Sequence, residues 1–431
     1  MMRLPPRPAP LDAPPTSVAT PKLTPLQTFL RGFRALRIRN YRLFWIGQLI
    51  SLTGTWMQTT AQGWLVLQLT NSPLALGLVT TFQFLPSMLL SLFGGVIADR
   101  VPKYRLIVVT QSAALIQAAL FGLLVWGGSI QLWQVYTLAL LLGIINAIDT
   151  PTRQAFIIDL VGRDDVPNAI ALNSLLFNSA RIVGPALAGL LIAHIGLAPA
   201  FIGNALSFVA VLAGLLLMDR KTFRPTPPHT QSTIMQGIVE GLTYIWRTPS
   251  VLLIMIVIAF IGTFGYNFSV VLPLLSGFVL HTDAVGFGML SSAFGMGSLV
   301  GGLVVAYSKQ VTVKRLLIGA TAFSLVLGTV ALTPIFTVSL LLLAALGAAG
   351  IVFTTSANTL IQLTVPDALR GRVVSVYWLL FAGSTPIGAL FIGSLANLIG
   401  VPETLLLCAA LCLIGVGGAW VYWQRSGMGA R

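Results

Sequence analysis

Charge is what this chain has least of. Of its 431 residues, 8% are Asp, Glu, Lys or Arg, and the acids number only 11. A soluble domain carries roughly a quarter of its residues as charges, so a fold surrounded by water on every side is excluded. Histidine and cysteine are scarcer still, at 3 and 2. His194, His229 and His281 stand in different loops, which excludes a clustered metal site of the zinc kind. Cys408 and Cys412 lie one helical turn apart in a single apolar run, where a crosslink would constrain nothing, and packing is their expected role. No loop or tail is long enough to fold as a nucleotide-binding domain. GMGSLVGG, residues 295 to 302, matches a loose glycine pattern, but it sits inside an apolar run with no strand before it and reads as a helix-packing surface.

Apolar residues fill the space that charge leaves. Hydrophobic content is 56% and mean hydropathy is +0.90. Runs of about 20 residues, the length that crosses about 30 Å of hydrocarbon, recur about twelve times. They fall near 43–69, 75–98, 106–127, 132–150, 170–193, 199–218, 251–279, 286–307, 316–333, 336–361, 374–398 and 403–423. The fold class is therefore an all-α polytopic membrane protein, with the lipid bilayer as its first partner.

The net charge of +14 would suggest nucleic acid in a soluble protein. Placement gives it another meaning. Lys and Arg cluster before the first run, at 100–105, at Arg153 and Arg163, through 220–247, at 309–315, at Arg370 and Arg372, and at Arg425. The alternate loops, near 71–74, 127–131, 194–199, 281–283, 333–336 and 400–403, contain none. That asymmetry follows the positive-inside rule. It predicts both termini in the cytoplasm, an even number of spans, the inner (cytoplasmic) membrane of a prokaryote as location, and no nucleic-acid partner.

Six segments result. Residues 1–25 are proline-rich without an apolar core, and read as a disordered cytoplasmic tail rather than a signal peptide. Residues 26–42 place Phe29, Leu30, Phe33 and Leu36 at helical spacing among arginines, which suits either an amphipathic helix at the inner surface or a basic flank that sets topology. A first six-helix bundle covers 43–218 and a second 251–424. Between them, 219–250 is a cytoplasmic linker whose Ile234, Ile238, Leu242 and Ile245 suggest a lateral helix; 425–431 is a short tail. The bundles repeat one another. A shift of 204 residues sets Gly184, Gly189, Ile195 and Gly196 on Gly388, Gly393, Ile399 and Gly400, as expected for two bundles related by an axis along the membrane normal.

Several stretches carry a resemblance. GGVIADRVPKYRL (94–106) is similar to the loop between the second and third helices of major facilitator superfamily transporters, with Pro102 and Tyr104 as departures from the pattern. SLTGTWMQTTAQGWLVLQLTNSP (51–73), DTPTRQAFIIDLV (149–161), NSARIVGPALAG (178–189), GLTYIWRTP (241–249) and VPDALRGRVVSVY (365–377) together resemble one branch, the transmembrane secretion effectors. That branch contains enterobactin-type siderophore exporters and, more distantly, macrolide efflux proteins. The resemblance implies a major facilitator fold of about twelve helices in two six-helix bundles. It also implies gate and motif residues at Gly95, Asp99, Arg100, Lys103, Arg153, Arg370 and Arg372, with Asp99 meeting the start of the eleventh helix. ARIVGPALAG is similar in part to the antiporter motif of drug/proton exporters, through Gly184, Pro185 and Gly189; close helix packing is the other reading of the same residues.

Charges inside the spans give the sharpest expectation. Arg181 falls near mid-membrane, where a charge costs at least about 2.5 kcal/mol unless it faces a cavity or a partner. Asp149 on the fourth span is the expected partner, and so the candidate to carry a coupling proton. The pair is equally readable as structural. Gln58 and Gln62 on the first span, Tyr266 and Asn267 on the seventh, Asn358 and Gln362 on the tenth, and Tyr377 on the eleventh are expected to line the central cavity, or else to bond between helices. The function expected is secondary export of an amphipathic small molecule, with protons as coupling ion and no cofactor or metal. A dedicated siderophore exporter is the alternative within transport. A polytopic membrane enzyme or a transporter-like scaffold is the alternative outside it, and the enzyme lacks a cluster of acids, histidines or nucleophiles to support it.

Overall fold

A computed structural model of the protein describes residues 32–223, 234–307 and 311–425, and leaves a few side chains within them, including those of Asp99 and Asp367, outside the described residues. Of the segment expected to be amphipathic at 26–42, only the part from Gly32 is described. It holds a short 3-10 turn at Arg34–Arg37, and helix α1 begins at Arg39.

Fifteen α-helices follow among the described residues. The first half contains α1 (Arg39–Thr70), α2 (Pro73–Arg100), α3 (Lys103–Trp126), α4 (Leu132–Val161), α5 (Val166–His194) and α6 (Ala198–Leu216). Helix α7 (Ile234–Arg247) leads into the second half: α8 (Pro249–Phe260), α9 (Phe268–Leu274), α10 (Ala284–Ala306), α11 (Val313–Ala331), α12 (Phe336–Thr364), α13 (Asp367–Phe381), α14 (Thr385–Ile399) and α15 (Val401–Arg425). Local chemistry sets the ends. Ser72 caps α2 through Ala75 N, with Pro73 in the first turn; Asp283 caps α10 through Gly286 N, and Thr312 caps α11 through Arg315 N. Asn71, at φ 47°, ends α1 in the left-handed conformation that Asn tolerates.

Two expected spans are not single helices. The seventh runs as α8, a π turn at Ile261–Gly265, a break at Tyr266 and Asn267, then α9 and a second π turn at Leu275–Val279. Gly262 and Gly265 weaken the helix there. The eleventh begins at Asp367, earlier than its apolar run, and breaks between α13 and α14 at residues 382–384. Pro386 lacks an amide hydrogen and its ring excludes the carbonyl of residue 382. The fourth span also continues well beyond its expected end near 150, through Pro151 to Val161.

Eleven helical segments among the described residues have the length and apolarity to cross a membrane. About twelve were expected. The difference is α1, which at 32 residues is long enough to cross but contains Gln48, Gln58, Gln62 and several threonines. Its glutamines bond to the neighbouring helices α2, α3, α4 and α6.

The two halves pack by the same plan. Helix α2 lies on α4, α3 on α6 and α1 on α6; correspondingly α10 lies on α12, α11 on α15 and α8 on α15. The halves join along α5–α10 and α2–α14, with α9 against α1 and α2. Glycines permit the two long crossings. A Cβ on Gly189 would lie 2.7 Å from Ala284 O and 3.3 Å from Gly288 Cα; one on Gly393 would lie 2.8 Å from Gly77 Cα. Gly189 and Gly393 are the pair that the 204-residue shift superposes, so the repeat places one close-approach glycine at each crossing. Both crossings lie at the end of the molecule away from the basic loops. Gly63 on Pro273, the stacked Trp64 and Phe287 rings at 5.9 Å, and Thr81 donating to Pro386 O at 3.1 Å lie in the same part. The basic ends of α4, α12 and α13 take no part in these contacts.

Candidate functional site

Helix α5 brings the cation to the seam between the halves. Pro185 has no N–H to give the carbonyl of Arg181, and that exposed face of the helix meets α10: Ser292 Oγ donates to Ile182 O at 2.8 Å, and Gly295 leaves room for Arg181 O. On its other side Gly184 packs against α1, where an added Cβ would lie 2.6 Å from Trp56 Cβ and 2.8 Å from Thr53 O. The Arg181 side chain, part-exposed near the middle of the 29-residue helix, therefore projects beside both α1 and α10. Its guanidinium carbon is 4.4 Å from the Phe294 ring centre and 5.9 Å from that of Trp56. One ring belongs to each half.

Aromatic rings continue from there into the second half. Phe294 meets Phe268 at 3.8 Å and Tyr266 at 6.4 Å; Tyr266 meets Phe381 at 4.9 Å, and Phe381 contacts both Tyr377 and Trp378 at 6.1 Å. Phe177 stands edge-on to Trp56 at 5.7 Å. Phe177 and Trp378 are exposed, so the chain of rings ends at an open surface on both halves.

Asp149 is elsewhere. Its carboxylate bonds to Arg153 Nη2 at 2.8 Å, one turn along α4, and accepts from Thr110 Oγ1 at 2.6 Å and Gln111 Nε2 at 3.0 Å on α3. Arg153 Nη1 donates to Gln48 Oε1 on α1 at 2.5 Å. The expected Arg181–Asp149 pair is thus replaced by an Asp149–Arg153 pair. An i,i+4 partner is already within reach on the same helix, whereas Arg181 faces α1 and α10. Asp149 is 1% exposed, and beside it Gln48 Nε2 and Gln111 Oε1 are buried without a hydrogen-bond partner among the described residues.

The first-span glutamines also face away from the seam. Gln58, 1% exposed, donates to Gln117 Oε1 at 3.3 Å on α3 and accepts from Asn204 Nδ2 at 2.8 Å on α6; Gln62 donates to Gln83 Oε1 at 3.1 Å on α2. They bond within the first half and do not line a central cavity. Thr55 and Thr59, on the adjacent stripe of α1, are the part-exposed ones. In the second half Asn267 is buried and donates to Thr263 O at 2.7 Å, and Tyr377 is buried with its hydroxyl 3.4 Å from Thr354 O, so neither lines the cavity with its polar atoms. Tyr266 joins the ring cluster part-exposed, while Gln362 is exposed and donates to Asn358 Oδ1 at 2.6 Å near the basic end of α12.

At the basic end, Lys103 pairs with Asp159 at 2.8 Å within the first half. Arg372 pairs with Glu240 of α7, and Gly241 fits against the Arg372 backbone, so α7 is braced on α13. Arg100 ends α2 exposed, and a Cβ on Gly95 would meet nothing within 4 Å. Arg370 lies one turn into α13, where its Nη2 donates to Val365 O at 3.4 Å. The Asp99 side chain, assigned to the gate by resemblance, lies outside the described residues. Sequence reasoning missed Gln83, Thr110, Gln111, Gln117 and Asn204. Their signal was available, since amides in mid-span seek partners on neighbouring helices.

The sequence profile of a family described as transmembrane secretion effector matches residues 31–423. The staphyloferrin A transporter of Staphylococcus aureus is 25% identical over 372 residues, covering 84% of this chain and 91% of that protein. The multidrug efflux pump Tap of Mycolicibacterium fortuitum is 27% identical over 373 residues, covering 84% and 91%. Among solved structures, a bacterial homologue of the human lysosomal transporter Spinster, inward-facing and unoccupied, superposes with a TM-score of 0.69 at 15% identity, covering 89% of this chain and 97% of that one.

Proposed function

We propose a function for this chain from its family: it belongs to the transmembrane secretion effectors of the major facilitator superfamily, and its named relatives are transporters rather than enzymes. It is a multi-pass membrane protein. In our reading it exports an amphipathic small molecule across the cell (inner) membrane by alternating access, with the basic loops and both termini in the cytoplasm. The observation that carries the reading is the asymmetry of the seam. The halves are closed together away from the basic loops, down to Arg181 and the rings around it, and the basic ends of α4, α12 and α13 stay out of that closure. A molecule entering from the cytoplasm would reach the Arg181 and Phe294 level and stop there.

Protons are the proposed driving ion and Asp149 the proposed carrier. Support comes from its burial deep in α4, from its pairing with Arg153, and from Gln48 Nε2 and Gln111 Oε1 beside it, which have no partner among the described residues and would donate to and accept from water. Relatives named for a siderophore and for drugs favour two substrate readings, and a dedicated siderophore exporter is the second one.

The test is accumulation in inverted membrane vesicles energised to acidify their lumen, using a lipophilic cationic dye, a neutral macrocycle and a hydroxycarboxylate iron chelator. Uptake of at least one, abolished by an uncoupler, is expected. No uptake of any would reject export, and uptake indifferent to the uncoupler would reject proton exchange while keeping transport.

A further inference from the structure

Arg181 is a cation near mid-membrane that no acid among the described residues pairs with. The helices packed on this stretch of α5 are α1 and α10, and neither Arg39–Thr70 nor Ala284–Ala306 contains an Asp or Glu. Helix α12, which carries the exposed Gln362, contains none. The acid in the middle of the first half is Asp149, and its carboxylate is occupied by Arg153, Thr110 and Gln111. In place of an anion, the guanidinium rests on the faces of Phe294 and Trp56. Such contacts are worth about 0.5 to 2 kcal/mol each, against a cost of at least about 2.5 kcal/mol for a cation at this depth. Ring faces also leave its fork of N–H donors, which matches a carboxylate or phosphate in two parallel bonds, without an acceptor among the described residues.

We infer that Arg181 is the anion subsite of the transport cavity, and that the exported molecule is an aromatic or otherwise planar body bearing a carboxylate or similar acidic group. The inference rests on the export reading and narrows its substrate. The acid takes the guanidinium fork. The planar body lies on the part-exposed rings of Trp56, Tyr266 and Phe381, with buried Phe294 behind the guanidinium. Because Phe294 belongs to the second half and Arg181 to the first, an anion that draws the guanidinium off the ring also removes a contact across the seam. Occupancy is thereby linked to the separation of the halves.

Three probes of one shape separate the alternatives: naphthaleneacetate, its primary amide, and the corresponding naphthylethylamine cation. Binding to the purified, detergent-solubilised full chain is measured by calorimetry, and each variant's melting temperature is recorded. The carboxylate is expected to bind about tenfold or more tighter than the amide, the size of one charge-assisted hydrogen bond, and the cation most weakly. Arg181→Gln should bring the carboxylate down to the amide's affinity and leave the amide unchanged; Arg181→Lys should retain part of the difference, since an ammonium lacks the planar fork. The wild-type ratio needs no variant to fold. Equal binding of carboxylate and amide, tighter binding of the cation, or no binding of any probe would overturn the anion subsite. The vesicle experiment above would still decide export on its own, so the two failures are distinguishable.

Discussion

At the residue scale, the polar side chains within the membrane divide into those that hold helices together and those that remain for transport. Gln58 belongs to the first kind, because Gln117 and Asn204 take its amide on both sides. Gln58→Leu should lower the thermal stability of the purified protein by about 1 kcal/mol, the usual worth of an interhelical polar contact in a membrane, with substrate KM unchanged. A shifted KM at unchanged stability would return Gln58 to the cavity. Asp149→Asn should abolish pH-driven accumulation in proteoliposomes while leaving substrate exchange down its own gradient intact. Retained uphill transport with normal pH dependence would remove Asp149 from coupling. The sequence made the unusual residues legible but not their partners. Depth and the lean of helical side chains suggest Arg181 and Asp149 as a pair, although Arg153 stands one turn from Asp149 in the sequence itself; which helices flank α5, and so where Arg181 points, depends on packing that a single span does not reveal.

At the element scale, helix breaks and glycine crossings decide what can move. Pro185 keeps α5 helical yet frees a carbonyl edge for α10, whereas Pro386 separates α13 from α14. Apolar runs marked these helices well, and helix ends less well, because α4 and α13 extend in polar residues beyond the hydrocarbon that hydropathy detects. Of the four glycines that face each other at the crossings, the two that the repeat superposes give a direct test. Gly189→Val and Gly393→Val each place a branched side chain against backbone of the other half, an overpacking that costs about 1 to 3 kcal/mol. Each should raise, several-fold, the labelling of a cysteine placed at Thr81 by an impermeant maleimide added to the side away from the basic loops; native Cys408 and Cys412 are buried and contribute little background. Unchanged labelling with normal folding would mean that these crossings do not hold the seam closed.

At the scale of the whole molecule, the two halves repeat one packing plan but not one chemistry. The first half holds the buried amide network and the Asp149–Arg153 pair; the second offers rings and small residues. The twofold plan was legible in the superposed glycines. The asymmetry of the seam was not, since no repeat says which end is closed. Alternating access requires the open and closed ends to exchange, and that is the claim most directly measurable. Spin labels at Ser174 and Gln362 report the basic end across the two halves, and labels at Ser129 and Ile335 the opposite end, in lipid nanodiscs by pulsed electron resonance between acidic and alkaline pH. One distance should shorten as the other lengthens, and Asp149→Asn should hold the pair in one arrangement at both pH values. Two distances that stay fixed, or that change in the same sense, would contradict alternating access.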